Sequence, residues 1–147
     1  MKKSNHAVVI LVLVTLALAG CGSNSHLVGN INGNWAATLS SSGPDTFAFT
    51  TLLTVNADGS LGSSHFTFTV NNTSCFPSTT TETGSFTLQG NFNGQVSGSF
   101  QYTIKGAEGN ILGLNGTVSN GQITGTWTLS GAIGCSGDGN FTMIPAA

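Results

Sequence analysis

From residue 33 onward, apolar and polar side chains alternate with a period of two. Val96, Gly98, Phe100 and Tyr102 fall on one side of the pattern, with Ser, Ser and Gln between them. Leu112, Leu114, Gly116 and Val118 repeat it, as do Ile123, Gly125, Trp127 and Leu129, and Phe86, Leu88, Gly90 and Phe92. Such a period is that of a strand with one face buried. No stretch after residue 20 carries the 3.6-residue period of an amphipathic helix. The pattern predicts eight strands, near 33–40, 46–56, 60–70, 83–92, 95–104, 111–118, 122–130 and 139–145. The connections after strands 2, 4 and 6 are tight, among them Asn56-Ala57-Asp58-Gly59, where glycine supplies a positive φ. Those after strands 1, 3, 5 and 7 are longer, so in a meander the two sets lie at opposite ends. The expected fold is all-β: an eight-stranded antiparallel up-and-down barrel. An antiparallel β-sandwich fits the same alternation and stays open as the alternative. Two hairpins are alike in sequence, GNFNGQVSGSFQY at 90–102 and GTVSNGQITGTWTL at 116–129.

Ahead of this domain the pattern changes. Lys2 and Lys3 precede an apolar run of 13 residues, Ala7 to Ala19. A spanning helix needs about 20, so the run reads as a cleaved export signal. Residues 21–32 have no periodicity and read as a flexible tether, reaching about 17 Å for ten residues. Charge is scarce: charged residues make up 5% of the chain, against about 25% in an average domain. Past residue 20 the only Lys or Arg is Lys105, against Asp45, Asp58, Glu82, Glu108 and Asp138, for a net charge of −4. Binding to nucleic acid needs a basic surface to meet phosphates, and that class is excluded.

Leu18-Ala19-Gly20-Cys21, at the end of the apolar run, resembles the lipobox of bacterial lipoproteins. The resemblance implies cleavage before Cys21, a diacylglyceryl group on its thiol and a fatty-acylated N-terminus of the palmitate kind. Two or more acyl chains anchor a protein stably where one does not. Residue 22 is Gly rather than the Asp that retains such proteins at the inner membrane, which favours the outer membrane in a Gram-negative source. An ordinary signal peptide with a chance cysteine is the alternative. Gly33-Asn34-Trp35, opening strand 1, is similar to the Gly-x-Trp signature of lipocalins, in which the Trp closes the barrel bottom. The late Arg that packs on that Trp in the family has no counterpart here.

With Cys21 lipidated, Cys75 and Cys135 remain, an even pair in an exported chain, both in the longer connections and so at one end of the barrel. A disulfide is expected. A metal site would need more ligands, and neither connection contains His. No catalytic constellation is visible. His26 lies in the tether, and His65 alternates with Phe66 and Phe68, which turns it to solvent. No cofactor is implied. The expectation is a non-enzymatic, membrane-anchored binding module for a small neutral or apolar ligand. Trp35, Phe86, Phe100, Tyr102 and Trp127 are the candidate lumen residues, and the longer connections carry surface contacts. The alternative is a structural or adhesive protein using its Thr/Ser/Asn exterior or its looped end. Inward aromatics argue for a filled lumen. Inward Gly90, Gly98, Gly116 and Gly125 argue for space.

Overall fold

The computed structural model describes residues 31–41, 46–70, 75, 76, 80–92 and 95–147. The export signal, Cys21 and all but the last two tether residues lie outside these, as does Asp45. Eight strands follow in order: β1 (Gly33–Ser41), β2 (Thr46–Val55), β3 (Ser60–Val70), β4 (Thr81–Phe92), β5 (Gln95–Lys105), β6 (Ile111–Ser119), β7 (Gln122–Ser130) and β8 (Gly137–Pro145). Each pairs antiparallel with the next, and β1 pairs with β8 from Trp35↔Pro145 to Ser41↔Gly139. The sheet is therefore a closed up-and-down barrel, which excludes the sandwich.

The two sets of connections lie at opposite ends as expected, although those after β1 and β2 are both four residues long. Residues 56–59, 93–94 and 120–121 turn the chain at one end, where β1 also begins and β8 ends. This is the turn end. β1, β3, β5 and β7 end at the opposite, loop end, where residues 75, 76, 106–110 and 131–136 lie. Asn120 and Gly121 both take positive φ, 52° and 73°. That is the two-residue geometry which matches the twist of a hairpin. A turn of two residues has no spare chain to reach across the barrel mouth, whereas a loop of five or more does.

The pairing is uneven. β3 meets β4 only at Ser60↔Ser85 and Leu61↔Gly84, so the rest of β3 pairs with β2 alone. A register shift between Thr50 and Leu52 of β2 brings Thr67 and Ser64 of β3 opposite them. His65 lies in that irregular stretch with φ 56° and its side chain exposed. Another shift falls between Leu88 and Gly90. It overturns the expected face of strand 4. Beyond it Gly90 stands opposite Ser97 and Asn91 opposite Val96, so Gly90 is on the outward side. Leu88, at the bulge, is 46% exposed. A bulge inserts one residue and reverses the alternation after it.

The lumen is filled. Phe47, Phe49, Phe100, Tyr102, Trp127, Leu39, Leu53, Ile104, Leu112, Ile123 and Met143 are all fully buried there. The rings contact one another: Phe47 with Trp127 at 5.6 Å, Phe100 with Tyr102 at 5.9 Å, and Phe66 with Phe49 at 5.0 Å. Such edge-to-face and offset contacts add about 0.5–1.5 kcal/mol each beyond area burial. Gly84, Gly98, Gly116 and Gly139 do not leave gaps, because neighbouring rings lie over them. A methyl group on Gly84 would stand 2.8 Å from the Tyr102 ring, and one on Gly116 2.9 Å from Phe141. Phe86 covers Gly98 in the same way, and Trp127 covers Gly139. Aromatic residue and glycine are two halves of one packing unit.

Candidate binding site at the turn end

At the loop end the described residues of three connections, 75–76, 106–110 and 131–136, pack together. Cys75 and Cys135 form a disulfide with Cα atoms 5.5 Å apart. Beside it Phe76 is buried, its ring 5.0 Å from Phe68 and 6.2 Å from Phe47. Asn110, 1% exposed, ties three connections together. Its Nδ2 donates to the Cys75 carbonyl at 2.7 Å, and its Oδ1 accepts from the Ala132 N–H at 2.8 Å. Its own carbonyl accepts from the Gly106 N–H at 2.8 Å. A buried carboxamide with its polar atoms engaged is a crosslink rather than a ligand site. Sequence reasoning missed it, because an asparagine in a loop ordinarily signals only a turn.

The turn end is different. Its mouth is covered in part by the chain arriving at β1. Ile31, the penultimate residue of the segment read as a tether, is 3% exposed. The Trp35 indole N–H donates to the Ile31 carbonyl at 2.8 Å. Asn32 Oδ1 accepts from the Val55 N–H at 2.7 Å, and the Ala146 N–H donates to the Asn34 carbonyl at 2.9 Å. Between this clasp and the turn after β6 lies a cavity of about 310 Å³. Trp35, Ile31, Val96, Val118 and Pro145 supply its apolar wall; Asn32, Asn34 and Gln95 supply its polar rim. Among the described residues, no charged side chain lines it. A second depression of about 440 Å³ shares Gln95 and Val96 and continues over Asn91 and Asn120.

Of the five lumen residues chosen from sequence, Trp35 lines this cavity. Phe86, Phe100, Tyr102 and Trp127 are at most 4% exposed and sit in the packed interior. The Trp127 N–H donates to the Ser40 carbonyl at 3.0 Å. Ile31, Gln95 and Val96 were not singled out, since nothing in the alternation marks which strand residues border a mouth.

Two titratable groups are displaced from their ordinary values. Burial pushes the Tyr102 phenol up, against hydrogen bonds from Ser63 and Thr51 that lower it. Thr51, 2% exposed, bonds Ser63 at 2.8 Å and Tyr102 at 3.5 Å, a hydroxyl cluster within the core. Hydrogen bonds from the Ser60 hydroxyl and N–H hold the exposed Asp58 carboxyl down. That is the chemistry of a turn. Among the described residues, no three His, Cys, Asp or Glu side chains converge as a metal site would require. The chain matches no known protein-family model, no curated protein and no solved structure.

Proposed function

We propose that the protein is an exported, lipid-anchored, non-enzymatic binding module that holds a small neutral or apolar ligand at the turn end of its barrel. The anchor is Cys21, the membrane is the outer one where the source is Gram-negative, and no cofactor or nucleic acid takes part. The observation that carries the ligand reading is the uncharged, Trp35-walled cavity in a barrel whose lumen is otherwise packed. Apolar walls with a few convergent polar groups are the usual composition of small-molecule sites. An uncharged lining sets the ligand class, since an ion left without a partner there would lose its hydration unrepaid. The cavity also lies where the N-terminal chain arrives, so the tether would present it toward the membrane surface.

The test uses the neutral apolar dye N-phenyl-1-naphthylamine on the mature chain. Saturable dye emission, quenching of Trp35 and a raised melting temperature are expected, because a ligand that binds only the folded state stabilises it. Trp35→Phe, which keeps Trp127 as an internal control, should weaken the response. Absence of saturable binding with an unchanged melting temperature would sink the ligand reading. The anchor is tested separately: Cys21→Ser should abolish fatty-acid labelling and membrane retention, and continued labelling would reject it.

A second reading, adhesion through the exterior, is favoured by the register of the outward rows. Thr87, Ser99, Thr117, Thr124, Thr142 and Thr38 stand side by side across six strands. Next to them run Ser85, Gln101, Asn115, Thr126, Asn140 and Ser40. Neutral hydroxyls and amides cover this wall where most proteins place charge.

A further inference from the structure

Gly113 lies on the outward side of β6, between Thr103 of β5 and Thr128 of β7. Neither the backbone nor the packing requires a glycine there. The register is unbroken across both neighbours, and φ is not positive. An added methyl would meet only Thr128 Oγ1, at 3.5 Å, an ordinary contact. The inward glycines of the same hairpin behave oppositely: a side chain on Gly116 or Gly125 would run into the backbone of Thr124 or Asn115. Gly62, also open outside, sits where β3 parts from β4 and has that bend to explain it. A glycine weakens a strand interior, and once bulges and bends are set aside, the recurring reason for one is close approach of something from outside.

An open depression of about 300 Å³ lies over Gly113 in the wall. Gln101, Thr103, Asn115, Thr126 and Thr128 surround it. None of these five side chains hydrogen-bonds another described residue. Two carboxamides and three hydroxyls thus face one hollow, each able to donate and to accept. None is charged. The nearest charges are Lys105, beyond Thr103 on β5, and Asp138, beside Thr128, which oppose each other in sign. Two residues along β6 on the same side, Ile111 is 39% exposed outside the lining, paired with Lys105.

We infer that this hollow over Gly113 is a binding site for a neutral saccharide. The hydroxyls of a pyranose are paired donors and acceptors, which match unengaged carboxamides and threonines. An anion would find no cation in the lining, and a purely apolar ligand would leave five polar groups unsatisfied. The volume is at the low end of ligand clefts, roughly 300–1,000 Å³, and suits a single ring. The flanking row Ser99, Thr117 and Thr124 lets a longer chain continue along the wall. An open, shallow site of this kind binds weakly, in the millimolar range. The inference deepens the exterior-contact reading and is independent of the turn-end cavity.

The experiment is a backbone and side-chain amide NMR titration of the mature chain with maltohexaose, with cellohexaose and with an anionic oligogalacturonate. One neutral glucan should shift Gly113, Asn115 and Gln101 while leaving the Trp35 indole N–H in place. Gly113→Val fills the hollow with a strand-favouring side chain. It should weaken binding at least about tenfold without lowering the melting temperature. Should that variant fail to fold, Asn115→Ala, at an exposed position, should weaken binding in its place. The inference is overturned by silence with both glucans, by binding of the anionic oligomer alone, by shifts centred on Trp35, or by wild-type affinity in a folded Gly113→Val chain. Shifts at Trp35 would leave the turn-end reading standing, so the two proposals fail separately.

Discussion

The two ends of this barrel are built from opposite materials. The loop end has the longer connections, yet it is the closed end: a disulfide, the Phe76 ring and buried Asn110 fold its loops over the core. The turn end has two-residue connections at 93–94 and 120–121, yet it carries the cavity. Long loops were expected to carry binding surface, as loops on rigid scaffolds commonly do. Here they serve first as a lid, because only a long connection can reach across a mouth. The open end is shut in part by the segment arriving at Ile31. Loop length measures reach, and reach can be used to close a site as readily as to make one.

Removing the crosslink should break this contrast most severely. The disulfide spans 60 residues, which in the chain-entropy model corresponds to about 4 kcal/mol. Cys75→Ala paired with Cys135→Ala should lower the urea-unfolding free energy by about that amount. The folded fraction should bind naphthylamine dye at the turn end unchanged. A drop in dye affinity per folded molecule would mean that the two ends are coupled. Asn110→Ala comes next. It strips the Cys75 carbonyl and the Ala132 N–H of their buried partner, and should cost about 2–3 kcal/mol. Combined with the cysteine replacements it should cost less than the sum, since both act on the same loops.

At the other end the effects shrink. Trp35→Phe removes one hydrogen bond to Ile31 and should destabilise by about 1 kcal/mol. It should also raise hydrogen exchange at the Val55 amide, which is held by the neighbouring Asn32. A loss as large as that from Asn110→Ala would show the clasp to be as structural as the lid. The smallest effect is on pH dependence. Because burial raises the Tyr102 phenol above 10.0, the unfolded chain releases its phenolic proton first. Its contribution is fully present below pH 10 and is lost as the pH rises through the folded value. Asp58 has the opposite sign. Its carboxyl is held below 3.8, so its stabilisation is present above that value and is lost as the pH falls through the lowered one. Tyr102→Phe should flatten the alkaline limb of a stability–pH curve, and Asp58→Asn the acid limb.

Much of the architecture was legible in the chain. Alternation is a local property of extended backbone, so it located all eight strands. Connection lengths sorted the two ends, and two cysteines in the same set of connections pointed to their pairing. The alternation failed where a bulge intervened, at Leu88–Gly90, because the shift is measured against the partner strand and leaves no mark in the residues themselves. Whether the lumen was open also depended on neighbours. Gly98 or Gly116 reads as empty space along its own strand, and only the fold brings Phe86 or Phe141 over it from elsewhere in the sheet. The same holds for the candidate sites. Trp35 could be picked out as an inward aromatic, but that it borders a cavity follows from where Ile31, Val96 and Val118 come together. Gly113 resembled every other strand glycine until its surroundings distinguished it. What a single strand decides, its own residues determined. What lies between strands is set by contacts far apart in the chain, and only the tertiary structure decided it.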